Sequence, residues 1–175
     1  MQGILDEFLD FSRPLTPLQT EPTNLRTLIG DVVTLHEGMA RQKRLTFDLA
    51  GVETVEVHSD PRKVKQILIN LVLNAIEAST VGGTIALQAR CERGAAQLSV
   101  LDEGPGLSEA LLERAVEPGV TTKEKGAGLG LTIVRALAEQ HGGSFRLRNR
   151  DEGGAAAEVE LPVRCPKGCF DRQLA

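Results

Sequence analysis

Two glycine clusters, about twenty residues apart, constrain this chain more than any other feature. The first lies in Asp102-Glu-Gly-Pro-Gly-Leu-Ser and holds Gly104 and Gly106. The second closes Thr121-Thr-Lys-Glu-Lys-Gly-Ala-Gly-Leu-Gly-Leu131 and holds Gly126, Gly128 and Gly130, running straight into an apolar helical pattern. Glycine lets a backbone turn sharply and approach a ligand closely. A glycine run that opens a helix also aims free N–H groups at a partly positive end, where phosphate is the natural guest. Lys123 and Lys125 add full charge beside it. Asp102 would repel phosphate, but its carboxylate can accept a hydrogen bond from the exocyclic amine of a base. Glycine with charge is also the ordinary composition of a surface loop, so the clusters need support from elsewhere in the chain. A Rossmann reading is disfavoured. Its glycine motif must directly follow a strand, whereas Glu-Pro-Gly-Val-Thr-Thr-Lys precedes this one and reads as loop.

That support comes upstream. Asp60 is a good N-cap and Pro61 suits the first helical position. Val64, Ile67, Leu68, Leu71, Val72 and Ala75 then form a continuous apolar face. Lys63, Gln66, Asn70, Asn74 and Glu77 form a second, polar stripe spaced three and four apart. Asparagine is a mediocre helix former. Two of them in so apolar a helix are a local cost of the kind that often marks function.

In this order the motifs resemble a known family. DxGxG, a variable lid and GxGLGL are similar to the ATP-binding fold of sensor histidine kinases, type II topoisomerases, Hsp90 chaperones and MutL. The Glu-Pro-Gly-Val-Thr-Thr-Lys lead-in and Gly-Leu-Gly-Leu-Thr-Ile-Val look most like the histidine kinases. Asn-Leu-Val-Leu-Asn-Ala-Ile-Glu-Ala resembles their asparagine box. The resemblance covers residues 24–163. It implies a two-layer α/β sandwich, with a mixed, mostly antiparallel sheet, helices on one face and a mobile lid over ATP. It implies that the Asn74 amide oxygen coordinates Mg²⁺, with Asn70 as a second polar contact, and that Asp102 reads the adenine amine. It implies that Gly104, Gly106, Gly126, Gly128, Leu129, Gly130 and Leu131 shape the nucleotide loops. Thr121, Thr122 and Lys123 match the lid's end, where the lysine meets the β- or γ-phosphate. ATPases of this superfamily have a water-activating glutamate where this chain has Asn70. An amide cannot act as a general base, so transfer is favoured over hydrolysis. One departure stands out: many kinases have phenylalanine where this chain has Ala115-Val116, which weakens the lid's apolar anchor.

The rest of the chain follows from periodicity. Residues 1–13 read as a helix resembling the end of the second helix of a histidine-kinase dimerisation hairpin; the acceptor histidine would then lie on a hairpin helix absent from the sequence. Residues 14–23 read as a proline-rich linker. A helix is expected from about Asn24 to Lys43, strands at 45–49 and 54–58, and a hairpin of 84–91 with 95–101. The lid spans 107–125, with a helical look over Leu107 to Val116. A helix from Leu129 to Gln140 stops at Gly142-Gly143, before a hairpin of 144–149 with 155–163. His36, His58 and His141 read as structural. Residues 164–175 read as a tail.

Composition sets outer bounds. At 175 residues the chain suits one domain with a short appendage. A net charge of −4, no basic stripe and 3% aromatic residues argue against nucleic acid. No apolar run is long enough to cross a membrane, and the acidic start is no signal peptide. Three cysteines do not make a disulfide framework, and Cys165 and Cys169 in CPKGC lack a second ligand pair. These features point to a cytoplasmic protein.

The reading is an ATP-binding catalytic domain of a sensor histidine kinase. Its expected partners are a histidine-bearing dimerisation domain, dimeric in the full-length protein, and a response-regulator receiver domain. The alternatives are an ATPase or serine kinase of the same fold, and a non-enzymatic nucleotide module that signals through conformation.

Overall fold

The computed structural model describes residues 16–120 and 128–162. Five strands form the main sheet: β2 (Thr46–Val52), β4 (Thr84–Glu92), β5 (Ala95–Leu101), β6 (Ser144–Asn149) and β7 (Ala155–Pro162), in the order β2-β4-β5-β7-β6. Only β2 and β4 run parallel; every other pair is antiparallel. A small second sheet pairs β1 (Glu21–Asn24) antiparallel with β3 (Glu56–Ser59). Four helices complete the described residues: α1 (Leu25–Gln42), α2 (Pro61–Ala78), α3 (Glu109–Arg114) and α4 (Gly130–Gln140).

Alternation decides the layers. Ile85, Leu87 and Ala89 on β4, and Ala96, Leu98 and Val100 on β5, are buried at every second position. They pack against the apolar faces of α1 (Leu25, Ile29, Val32), α2 (Ile67, Leu68, Leu71) and α4 (Val134, Leu137) in one continuous core. The central helix is α2, flanked by α1 and α4. This is the expected two-layer sandwich.

Both long-helix starts are capped as their sequences suggest. The Asn24 side chain accepts from the Thr27 N–H, and that of Asp60 from the Arg62 N–H with Pro61 next in line. At the far end of α2, Lys43 Nζ donates to the carbonyls of Ile76 (2.8 Å) and Glu77 (2.9 Å), satisfying groups the helix leaves open.

Three expectations change. Glu21–Asn24, which overlaps the end of the segment read as a linker, is a strand hydrogen-bonded to β3. The helix expected over Leu107 to Val116 shortens to Glu109–Arg114, started by the Ser108 side chain. Strand β2 extends to Val52 through an irregularity between Asp48 and Gly51. Residues 1–15 and 163–175, with the hairpin-helix, tail and CPKGC readings, lie outside the described residues, as do Thr121, Thr122, Lys123 and Gly126.

Candidate nucleotide site

Helix α2 brings the two glycine clusters together. Asn70 and Asn74 are half-buried, to one side of the apolar face. Asn70 Nδ2 donates to the Gln66 carbonyl at 2.9 Å, leaving Oδ1 directed away from its own helix. Beside them stands the first residue of α4. A Cβ added to Gly130 would lie 3.1 Å from Asn70 Oδ1 and 3.8 Å from Asn74 Nδ2. Leu129 holds the N-cap position of α4, and its own side chain offers no cap hydrogen bond. The first-turn N–H groups of a helix have no partner within it, and here they lie beside two amides. Leu129 is buried and Leu131 packs against the core, so the start of α4 is fixed by apolar contact.

Gly128 has φ +67, and a Cβ there would meet the Gly119 carbonyl carbon at 2.7 Å and the Val120 oxygen at 2.8 Å. Only glycine fits this close crossing of two backbones. The Gly119 N–H donates to the Gly128 carbonyl at 3.2 Å, and Thr132 Oγ1 donates to the Val116 carbonyl at 3.1 Å. The stretch after α3 is thus tied to α4 by polar contacts. Ala115 is nonetheless buried, a smaller apolar anchor than phenylalanine.

The first cluster meets the C-terminal end of α2. A Cβ on Gly104 would stand 2.6 Å from the Ala78 carbonyl oxygen. Just before it, at the end of β5, Asp102 is 7% exposed. Its Oδ1 accepts from the Gly104 N–H (2.8 Å) and the Ala155 N–H (3.2 Å), which holds the carboxylate in place. The Asp102 carbonyl accepts from Arg150 Nη1 at 2.7 Å. Gly154, at φ +84, presses so close to that carbonyl that no side chain could replace its hydrogen.

Sequence reasoning missed Asn149, Arg150 and Gly154 as supports of this loop. The available signal was the Asn-Arg-Asp-Glu-Gly-Gly turn, read only as a hairpin. It also placed Lys63 with the asparagines, but Lys63 is buried at the opposite end of α2. There its Nζ donates to the Thr16 carbonyl (2.6 Å) and Gln140 Oε1 (2.8 Å). Asp60, fully buried, accepts from the Gln19 N–H (2.9 Å) and the Arg62 guanidinium (3.1 Å). Burial works to raise the Asp60 pKa, but the Arg62 hydrogen bond and charge, with the amides of Gln19 and Lys63, outweigh it and hold the group at about 2. This second polar cluster fastens residues 16–19 to the domain. His36 is buried with Nδ1 2.8 Å from the Val32 carbonyl, and His58 is exposed on β3.

The arrangement offers a helix start suited to an anion, amide oxygens suited to a hard cation and an oriented carboxylate suited to a hydrogen-bond donor, gathered around one helix. The chain as a whole is similar to known proteins. Residues 59–164 match the family model described as Histidine kinase-, DNA gyrase B-, and HSP90-like ATPase. Sporulation kinase A of Bacillus subtilis is 34% identical over 162 residues, which cover 92% of this chain and 27% of that protein. Sensor histidine kinase ZraS of Escherichia coli K12 is 32% identical over 164 residues, 93% of this chain and 35% of that protein. The chain therefore spans about a third or less of the length of these relatives. Among solved structures, the nucleotide-free catalytic domain of histidine kinase ThkA superimposes with a TM-score of 0.75 at 35% identity, covering 83% of this chain and 96% of that one. Full-length ShkA in complex with AMPPNP gives 0.83 at 28% identity, covering 92% and 35%. ThkA in complex with the response regulator TrrA gives 0.79 at 33% identity, covering 93% and 47%. The chain belongs to the histidine kinase-, DNA gyrase B- and HSP90-like ATPase family, and within it to the ATP-binding catalytic domains of two-component sensor histidine kinases.

Proposed function

We propose that this domain binds Mg·ATP along α2 and presents the γ-phosphate to a histidine on a dimerisation domain. The observation that carries the reading is the double approach to α2: Gly130 against Asn70 and Asn74, and Gly104 against the carbonyl of Ala78. These contacts bring the phosphate-suited end of α4 and the carboxylate of Asp102 to one helix. In this reading Asp102 accepts from the adenine amine, and the N–H groups opening α4 receive phosphate oxygens. Leu129 and Leu131 hold that opening in place. Gly106, Gly126 and Gly128 let the loops close on the nucleotide, and Thr121, Thr122 and Lys123 meet the terminal phosphates.

Among the described residues, no three His, Cys, Asp or Glu side chains converge into a metal cage. The donor set instead fits Mg²⁺ carried on the phosphates, and the Asn74 amide oxygen is the group of this chain that would hold it. The ion would supply neutralisation of phosphate charge. The protein's own share is positioning, the main requirement of phosphoryl transfer. Asn70 cannot take a proton from water, so it would serve as a second polar contact without promoting hydrolysis.

The partners follow from this role: a dimeric histidine-bearing hairpin as acceptor, and a receiver domain like the response regulator TrrA found with ThkA. An ATP-dependent role suits the cytoplasmic side of a cell. Among the described residues no helix is long and apolar enough to cross a membrane. The deciding experiment mixes the protein with γ-labelled ATP and a histidine-bearing dimerisation hairpin. Acid-labile label on the hairpin is expected. Acid-stable label, or rapid phosphate release without transfer, would favour the serine-kinase or ATPase alternative.

A further inference from the structure

The loop from Asp102 to Leu107 is pinned at both ends by two consecutive residues where β6 runs into its hairpin turn. Arg150 Nη1 donates to the Asp102 carbonyl at 2.7 Å. Asn149 makes a reciprocal pair with Leu107: the Leu107 N–H donates to Oδ1 at 2.9 Å, and Nδ2 donates to the Leu107 carbonyl at 2.7 Å. A carboxamide carries the same donor and acceptor as a peptide group, so Asn149 treats Leu107 as a neighbouring strand would. Gly106 lets the two approach, since a Cβ there would come 2.9 Å from Asn149 Oδ1. Asn149 lies 42 positions from Leu107, so this contact does not arise from the loop's own geometry.

We propose that Asn149 is a positioning residue for base selection. It holds the exit of the loop while Arg150 holds its entry, and so keeps the Asp102 carboxylate at one depth and angle for the amine of adenine. The proposal rests on the reading of Asp102 as the base acceptor. Asn149 is itself solvent-exposed and uncharged. Its removal therefore hands the Leu107 groups to water, and the fold should survive. A loop no longer fixed would reach its binding geometry only part of the time, and affinity falls by that fraction.

The test measures binding of ATP, GTP and inorganic tripolyphosphate, each with Mg²⁺, to the native protein, Asn149→Ala and Asn149→Asp. Thermal unfolding is recorded alongside. Asn149→Ala should lose about tenfold in ATP affinity, as expected for two lost hydrogen bonds that order a loop. Tripolyphosphate affinity should not change, because that ligand never meets Asp102. Preference for ATP over GTP should shrink accordingly. Asn149→Asp keeps the acceptor for the Leu107 N–H but not the donor, and should fall between the two. Two results would overturn the proposal alone: a native-like ATP preference in Asn149→Ala, or an equal loss for ATP and tripolyphosphate. A native protein with no preference for ATP over GTP would sink the Asp102 reading and the proposal together.

Discussion

The imidazole Nε2 of His141 accepts a hydrogen bond from the backbone N–H of Asp60, 3.2 Å away and 81 positions earlier in the chain. Its Nδ1 faces the Leu137 carbonyl at 2.7 Å, so the proton of the neutral ring belongs on Nδ1. The ring joins the end of α4 to the start of α2. Replacing it leaves a buried N–H without its acceptor. His141→Ala should therefore lower unfolding free energy by about 1–3 kcal/mol, read from a urea titration. A value within about 0.5 kcal/mol of native, the range of an ordinary surface change, would show that the contact contributes nothing.

Asp60 makes stability depend on acid. Its folded pKa, near 2, lies below the ordinary value of 3.8. The unfolded chain therefore takes up a proton before the folded one does. The stabilisation is complete above the unfolded pKa and is lost as pH falls through the folded value. Urea midpoints should drop between about pH 4 and pH 2 from this group. Asp60→Asn should be less stable at neutral pH and should show a shallower fall across that window. Parallel acid limbs for the two proteins would assign the effect to other carboxylates.

Asn74→Ala should abolish transfer to an added hairpin while the fold persists, because the side chain is only half-buried. Nucleotide titrations with and without a chelator should separate the metal term. In the native protein Mg²⁺ should tighten ATP binding, and in the variant that gain should largely vanish. Transfer at the native rate would remove Asn74 from the metal site.

Asp102 carries two backbone amides on Oδ1. Truncation to alanine would thus confuse loop collapse with loss of base contact. Asp102→Asn is the cleaner variant, since it can keep one amide-accepting oxygen while presenting a donor to the adenine amine. ATP affinity should fall about tenfold to a hundredfold, the worth of a charge-assisted hydrogen bond. The native protein should bind GTP poorly, because guanine offers a carbonyl at that edge. Equal native affinities for ATP and GTP would end the adenine assignment.

The long helices were legible because their signals are local. Asp60-Pro61 marks the start of α2, and Val64 to Ala75 repeats at helical spacing. The β4–β5 turn was legible too: Arg93 and Gly94, at φ 52 and 80, sit where a tight hairpin needs them. Strand β1 was not legible. It has four residues, one of them proline, and forms only because β3 pairs with it from more than thirty positions away. Lys63 shows the same limit within one helix. Its spacing matches the asparagines, yet the chain at Thr16 crosses over it and Gln140 reaches it from α4. Arg150 and Asn149 act on backbone groups 48 and 42 positions away, and no periodicity announces such contacts. The elements around the candidate site were readable where their signals are local, and unreadable where distant backbone sets the position.

The pairing of β5 governs when this protein can first work during its synthesis. The strand that leads into Asp102 lies between β4 and β7, and β7 is the last strand described. Its amide at Ala155 and the neighbouring Gly154 complete the cradle around Asp102. A ribosome that has released the chain only through Gly104 has already made α1, α2, β4 and β5, yet Asp102 then lacks the Ala155 amide, half the support of its Oδ1. Such contacts, distant in sequence, form late and fold slowly. A nascent chain halted before Ala155 should thus show helical signal without ATP retention, and retention should appear only once Pro162 has cleared the exit tunnel.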